Sequence, residues 1–142
     1  MAALDRFVAA QDGVWPQALA ELKAGRKTSH WMWFVFPQIA GLGRSETARF
    51  YAIADAAEAQ AYRAHPVLGA RLVEAAQALL AHRGRSAEAV LGGIDAIKLR
   101  SSMTLFEAAA PGEPVFGAVL DGFYDGERDA ETLRLLNLGA VS

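Results

Sequence analysis

Lysine, hydroxyl, imidazole and amide side chains stand beside tryptophan and phenylalanine in one short stretch of this chain. Residues 27–38 read Lys-Thr-Ser-His-Trp-Met-Trp-Phe-Val-Phe-Pro-Gln. Ligand pockets usually combine aromatic surface with a few polar groups in this way. If a helix begins at Ser29, its free backbone N–H groups and its dipole favour a bound anion. The stretch therefore predicts a site for a small anionic molecule of nucleotide or ADP-ribose type.

The polar members of this stretch have distinct expected roles in such a site. Lys27 and Ser29 strengthen the anion-binding end of the predicted helix. Gln38 and Arg44 close the site from the glycine-containing loop that follows. An indole ring stacks well on the flat ring of a base, and the two indoles in position to do so are Trp31 and Trp33.

The same stretch also has a purely structural interpretation. Ser29 would then only cap the helix, Lys27 would be solvated, and His30 would be a hydrogen-bonded core histidine. A helix that is apolar on all sides is normally buried. Most of the apolar side chains are therefore expected in the core, and these are Trp31, Met32, Phe34 and Phe36. Both interpretations stay open.

A second polar stretch interrupts an apolar pattern near residue 100. Residues 95–106 read Asp-Ala-Ile-Lys-Leu-Arg-Ser-Ser-Met-Thr-Leu-Phe. Serine and threonine are poor choices inside a helix unless their hydroxyls pack or bind something, and lysine and arginine suit phosphate. The stretch predicts a second wall of the same pocket, made by Lys98, Arg100, Ser101 and Thr104. Alternatively, Asp95 and Lys98 form a local ion pair and the hydroxyls bond back to the helix.

The chain also offers candidates for acid–base catalysis. If the site is catalytic, Asp95 or Glu58 is the expected general base and His30 the general acid, and the reaction is hydrolysis of a glycosidic or phosphate bond. Glu58, Tyr62 and His65 share one helix face, which would suit a proton relay. Alternatively, Glu58 is a helix cap and His65 is a turn residue before proline. A structural or protein-interaction module without a ligand is the third alternative.

Metal and cofactor chemistry find no support in the sequence. There is no cysteine, which excludes disulfides, thiolate nucleophiles and cysteine-ligated metals. The three histidines, His30, His65 and His82, lack the spacing of a metal site. A glycine-rich phosphate loop and a nucleophile elbow are also missing. We expect no metal and no cofactor.

Charge and hydropathy restrict the partners. The net charge of −2 gives no electrostatic reason to expect nucleic acid. The chain starts without the pattern of a signal peptide, and no apolar run approaches the length of about 18 residues that a membrane span needs. These features favour a cytoplasmic protein. Phe123, Tyr124 and the apolar tail through Leu138 suit a homodimer contact and ordinary core packing equally well.

The elements that must position these residues are predicted to be helices. Alanine, leucine and arginine dominate the chain, and these are strong helix formers. Alternating β-branched runs, which are typical of strands, are absent. Expected helix starts follow the capping residues Ser29, Ser45, Asp55, Ser86 and Asp95. The sequence predicts one all-α domain over residues 1–142, with about eight or nine short helices.

Several long motifs together resemble one bacterial family. They are Lys27–Gln38, Gly41-Leu-Gly-Arg-Ser45, Tyr62-Arg-Ala-His-Pro-Val-Leu-Gly-Ala-Arg-Leu72, residues 95–106 and Asp129-Ala-Glu-Thr-Leu133. The family is the domain of unknown function eighteen-ten, sometimes mislabelled calpastatin. The resemblance covers nearly the whole chain and implies a single all-helical domain with no established activity.

A shorter motif is similar to the YbiA-like N-glycosidases. Residues 28–31, Thr-Ser-His-Trp, supply the hydroxyls, histidine and aromatic ring of a Ser/Thr-x-Glu-His-aromatic motif. The glutamate of that motif is missing here. The resemblance implies a compact helical fold and cleavage of an N-glycosidic bond, and the missing carboxylate puts that chemistry in doubt.

Overall fold

Ten helices joined by short turns form the part of the chain that the computed structural model describes, the backbone of residues 2–141 and the side chains of residues 4–137. The expected all-α class is confirmed, with slightly more helices than expected. The described backbone contains no β-sheet, and its β-structure is limited to an isolated parallel bridge between Ile39 and Ile53. The helices are α1 Ala2–Gln11, α2 Trp15–Ala24, α3 Met32–Val35, α4 Glu46–Phe50, α5 Ala56–Ala64, α6 Leu68–Leu80, α7 Ala87–Leu91, α8 Gly93–Ala109, α9 Val115–Tyr124 and α10 Ala130–Val141.

Three of the predicted capping residues begin helices as expected. Ser45, Asp55 and Ser86 each accept a hydrogen bond from the backbone N–H three residues on, at 3.1, 2.9 and 3.1 Å. Each bond satisfies a helix N–H that has no partner within the helix. Gly25 ends α2 in the left-handed conformation with φ 73°, which glycine adopts without steric cost.

Two other predicted caps are wrong. The helix expected at Ser29 begins later, after Trp31, and no side chain caps α3. The Ser29 hydroxyl instead donates to the carboxylate of Glu21 at 2.6 Å. Asp95 lies inside the first turn of α8, which already begins at Gly93. In both cases a partner distant in sequence binds the side chain that the local pattern had assigned to the helix end.

Helix α8 is the central element of the core. It packs against α5, α7, α9 and α10, and nine of its residues are buried. A row of aromatic rings crosses the core beside it, from Phe7 through Tyr62 and Phe106 to Phe116. Successive ring centroids are 5.1, 5.3 and 5.8 Å apart, within the range of favourable aromatic contacts. The row joins α1, α5, α8 and α9.

Buried hydrogen bonds hold the short helix α3 in place. The carbonyl oxygen of Phe34 accepts from the Gln11 amide at 2.7 Å and from the Tyr62 hydroxyl at 3.1 Å. Arg71 donates to the other end of the Gln11 amide at 3.2 Å. Burial raises the pKa of the Tyr62 hydroxyl, which therefore keeps its proton and donates. A four-residue helix is too short to be stable alone, so these contacts fix its position.

The chain on either side of α4 is tied back to the residues after α3. Ile53 donates its backbone N–H to the carbonyl of Gln38, and Ala40 donates to the carbonyl of Ile53, both at 2.8 Å. Helix α4 therefore ends at Phe50, before Ile53. These bonds close residues 38–53 into a loop that carries α4.

The apolar side chains near the end of the chain are partly in the core. Phe123 and Tyr124 pack against the core, and the Tyr124 hydroxyl donates to the carbonyl of Ala96 at 2.5 Å. The side chain of Leu138 lies outside the described ones. The homodimer contact therefore stays a prediction. None of the described helices is long and apolar enough to cross a membrane.

We predict that Gly69→Ala destabilises the protein. An added Cβ at this buried position in α6 would lie 1.9 Å from the carbonyl oxygen of Arg63, so the backbone must shift. We expect the free energy of unfolding to fall by about 1–3 kcal/mol, the usual cost of overpacking. Urea denaturation followed by circular dichroism measures this change.

Gly122→Ala in α9 is the matched control for that substitution. Its added Cβ would meet Arg83 Cβ at 3.4 Å, an ordinary contact. Alanine favours a helix over glycine by about 0.5–1 kcal/mol, so this variant should be as stable as the parent or slightly more stable. Equal stability of the two variants would contradict the packing at Gly69.

Candidate functional site

An open hollow of about 290 Å³ lies between α3, the loop after it, α4 and the first half of α8. We call it the Trp33 hollow. Apolar and aromatic side chains form most of its wall, and two cations and an amide lie among them. The lining residues are Met32, Trp33, Phe36, Gln38, Ile39, Gly43, Arg44, Ser45, Ala48, Tyr51 and Lys98. Four of the expected ligand-binding residues, Trp33, Gln38, Arg44 and Lys98, are thus brought together.

Lys98 is held at the hollow by two contacts. Its Nζ lies 4.4 Å from the ring centroid of Trp33, a favourable cation–π distance. The same Nζ is 3.9 Å from Oδ1 of Asp95, the local pair that the sequence offered as an alternative. The side chain keeps 24% of its surface exposed. The ammonium group is therefore positioned without being fully neutralised.

Lys27 has a different position from the one expected. Its Nζ is 2.8 Å from Oδ2 of Asp95, and its side chain is only 8% exposed. It also donates to the carbonyl of Ser29 at 2.5 Å and lies 5.0 Å from the ring centroid of Trp31. Lys27 is thus neither solvated nor a lining residue of the Trp33 hollow. It ties the segment before α3 to the first turn of α8.

Arg44 is the second cation of the hollow. Its side chain is exposed and forms no ion pair or hydrogen bond with the part of the chain that the structure describes. The loop that carries it packs closely on α4, because an added Cβ at Gly43 would lie 2.5 Å from Ala48 Cβ. The hydroxyl oxygen of Ser45 is occupied by the cap of α4. Arg44 is therefore the polar lining residue with the most freedom to meet a ligand.

Glu21, which sequence reasoning missed, determines the path of the chain before α3. Its side chain is 5% exposed and accepts five hydrogen bonds. The donors are the backbone N–H groups of Thr28 and Ser29, the Ser29 hydroxyl, the Trp31 indole N–H and the Gln17 amide. Glu21 follows Ala18 by three positions, so a helical wheel places it on the buried face of α2. That spacing was the available signal.

The hydrogen bonds to Glu21 control its protonation. Burial alone raises the pKa of a carboxyl. Here the bonds from Ser29, Gln17 and the backbone N–H groups outweigh burial and hold the pKa of Glu21 well below its usual range. The carboxylate is therefore charged at neutral pH, and each of its bonds is charge-assisted.

Trp31 lies in the core, in contrast to Trp33. Its side chain has no exposed surface, and its indole N–H donates to Glu21 at 2.9 Å. Neither face of the ring is accessible for stacking on a ligand. The same segment therefore contains one indole in the core and one at the hollow. The side chains that were expected in the core are buried, and these are Trp31, Met32, Phe34 and Phe36.

The residues expected to catalyse hydrolysis do not meet. His30 is exposed, so it is not a core histidine. It lines a neighbouring depression that shares Trp33 and Tyr51 with the Trp33 hollow, but it does not line the hollow itself. Glu58 pairs with Arg6 at 3.2 Å and accepts from the Ala54 N–H at 2.9 Å, as a helix-start residue does. Asp95 is shared by two lysines.

The expected proton relay is also not formed. The Tyr62 hydroxyl donates to a backbone carbonyl in the core. The Nδ1 atom of His65 accepts from the backbone N–H groups two and three residues on, at 3.1 and 3.2 Å. Glu58, Tyr62 and His65 therefore hold three different parts of the backbone.

The polar residues in the second half of α8 serve the helix and its junction with α10. Ser101 and Thr104 donate to the carbonyls four residues before them, at 3.4 and 2.8 Å. The Arg100 guanidinium lies 3.6 Å from Asp129 and 3.7 Å from Glu127. None of the three lines the Trp33 hollow. The Ser101 and Thr104 hydroxyls therefore bond back to their own helix, as the alternative interpretation of this stretch expected.

The wall of the hollow includes residues that were not predicted to line a ligand site. Met32, Phe36 and Ile39 are mostly buried and form its floor, and Tyr51 lines it just after α4. Their apolar type gave no signal that distinguishes a pocket wall from the core. Among the described residues there is no cluster of three or more histidine or acidic side chains that could hold a metal ion.

Comparisons with known proteins agree with the fold. A family model described as "Protein of unknown function (DUF1810)" matches residues 1–136. The crystal structure of the conserved hypothetical protein Rv1873 from Mycobacterium tuberculosis is 48% identical in sequence and superposes with a TM-score of 0.93, over 94% of this chain and 96% of that one. No curated protein matches. The likeness to YbiA-like N-glycosidases stays unconfirmed.

We predict that Glu21→Gln destabilises the protein in a pH-dependent way. The amide loses the charge that strengthens five hydrogen bonds, so the free energy of unfolding at pH 7 should fall by about 2 kcal/mol or more. Because the pKa of Glu21 is lowered on folding, its stabilisation is complete above about pH 5 and is lost as the pH falls below about 4.3, the usual glutamate value. Between pH 7 and pH 3, the free energy of unfolding measured by denaturation should therefore fall more steeply for the parent than for the variant.

Glu74→Gln is the control for the charge change. Glu74 is exposed on α6 and forms no ion pair within the described part of the chain, so its replacement should alter stability by less than about 0.5 kcal/mol. Superimposable pH curves for the parent and Glu21→Gln would show that Glu21 does not have this role.

Proposed function

The chain belongs to the DUF1810 family, and we propose that this member binds a small anionic ligand with a flat ring in the Trp33 hollow. The observation that carries the proposal is the arrangement of the lining residues. Lys98 and Arg44 are two cations beside one aromatic wall, and Arg44 has no carboxylate partner among the described residues. An apolar wall with a few polar groups is the usual composition of a ligand site.

The two cations suit a phosphate group. Lys98 is already positioned by Trp33 and Asp95, so little side-chain entropy is lost when it meets an anion. Arg44 offers a planar guanidinium, which binds phosphate through two parallel hydrogen bonds. The ring of the ligand then lies against the half-buried side chains of Trp33 and Tyr51. Burying a flat ring there removes apolar surface from water on both sides.

The size of the hollow narrows the ligand class. At about 290 Å³ it lies at the lower end of the roughly 300–1,000 Å³ typical of ligand pockets. That volume suits one ring system with one charged group, such as a nucleoside monophosphate. An ADP-ribose-like molecule would extend beyond the hollow, so we favour the mononucleotide within the expected class.

Binding is favoured over hydrolysis. Among the described residues that line the hollow there is no carboxylate and no imidazole. General acid–base catalysis needs such a group within hydrogen-bond reach of the reacting atoms. The nearest acid of the expected set, Asp95, has a lysine ammonium group at each of its carboxylate oxygens. These positions support a binding role for the site.

The test is a titration of the protein with adenosine 5′-monophosphate, followed by calorimetry and by tryptophan fluorescence. We expect saturable binding, weakened about tenfold by Lys98→Gln and at least tenfold by Arg44→Gln, since each charge-assisted hydrogen bond contributes roughly 1.5 kcal/mol. Circular dichroism checks that the variants keep their fold.

Arg49→Gln provides the matched control. Arg49 is an exposed arginine on helix α4, which follows the loop that carries Arg44, and it does not line the hollow. Its loss therefore changes the net charge equally. The dissociation constant of this variant should match that of the parent. An equal weakening by Arg49→Gln would indicate nonspecific attraction, and absence of binding at millimolar nucleotide would refute the proposal.

A further inference from the structure

We propose that Gln38 determines specificity in the Trp33 hollow by reading the edge of the ligand's ring. This inference rests on the proposed function. The hollow then prefers a heterocycle that presents a hydrogen-bond donor next to an acceptor, as the amino edge of adenine does. The two cations hold the phosphate, and Gln38 selects the ring.

The backbone around Gln38 is held firmly. Its carbonyl accepts from the N–H of Ile53 at 2.8 Å, and Ala40 donates to the carbonyl of Ile53 at the same distance. Pro37 before it is buried, and Ile39 after it is 4% exposed. A binding group on such a fixed backbone keeps its position when the ligand arrives, which reduces the entropy cost of binding.

The carboxamide of Gln38 has no partner. The side chain lines the hollow, is half-buried, and makes no hydrogen bond to the described part of the chain. By comparison, the amides of Gln11 and Gln17 are both hydrogen-bonded. A ligand that covers Gln38 without bonding to it would leave a polar group unpaired, at a cost of about 1–3 kcal/mol.

Four other polar side chains line the hollow, those of Arg44, Ser45, Tyr51 and Lys98, and none of them has an acceptor and a donor on neighbouring atoms as a carboxamide does. Lysine and arginine only donate hydrogen bonds, so Lys98 and Arg44 cannot distinguish a ring that offers a donor from one that lacks it. A carboxamide has an acceptor and a donor side by side. Glutamine therefore matches the adjacent amino group and ring nitrogen of adenine with two bonds.

The experiment compares two ligands that differ by one group. Adenosine 5′-monophosphate carries the amino group, and purine riboside 5′-monophosphate lacks it. We expect the parent protein to bind the first about tenfold more tightly, the ratio expected for one lost hydrogen bond. Gln38→Leu should bind both equally, and no more tightly than the parent binds purine riboside 5′-monophosphate, because the leucine also lacks the bond to the ring nitrogen.

Gln60→Leu is the matched control, because Gln60 is an exposed glutamine on α5 that does not line the hollow. It should keep the tenfold preference. If the parent binds both ligands equally, or if Gln38→Leu keeps the preference, this inference fails while the proposed function stands. If the parent binds neither nucleotide, both fail.

Discussion

One buried carboxylate fixes the segment on which the candidate site depends. Glu21 gathers donors from residues 28–31 and from its own helix. Among the described residues, no cation pairs with it directly. Five N–H and O–H groups replace the water that it loses on burial, which is how a buried charge is tolerated. The chain before α3 therefore has a defined path although it contains no regular secondary structure.

The position of the cations follows from that path. With residues 28–31 bound to Glu21, Lys27 lies over Trp31 and reaches the first turn of α8, where it pairs with Asp95. Lys98, one turn further along α8, shares the same carboxylate and lies against Trp33. One tryptophan–lysine pair, Trp31 and Lys27, is thus buried, and the other, Trp33 and Lys98, lines the hollow. The buried pair supports the half-buried pair at the hollow. The position of Lys98 therefore depends on Glu21.

Local sequence rules predicted the fold better than the site. The all-α class and the caps at Ser45, Asp55 and Ser86 follow from interactions within one helical turn, which a sequence displays directly. Ser29 failed as a cap because a carboxylate eight residues earlier competes for its hydroxyl. Of two indoles two residues apart, only tertiary packing decides which one is buried. The residue types identified four members of the site, which are Trp33, Gln38, Arg44 and Lys98. They did not identify the apolar residues that line the pocket beside them.

The shared carboxylate of Asp95 also sets the electrical balance of the hollow. Lys27 and Lys98 together exceed the charge of Asp95 by one, and the lining residue Arg44 contributes one more positive charge. A phosphomonoester carries roughly −1.5 to −2 at neutral pH. Such an occupant and its surroundings would come close to neutrality without recruiting a counterion, whereas a triphosphate would leave an excess of negative charge.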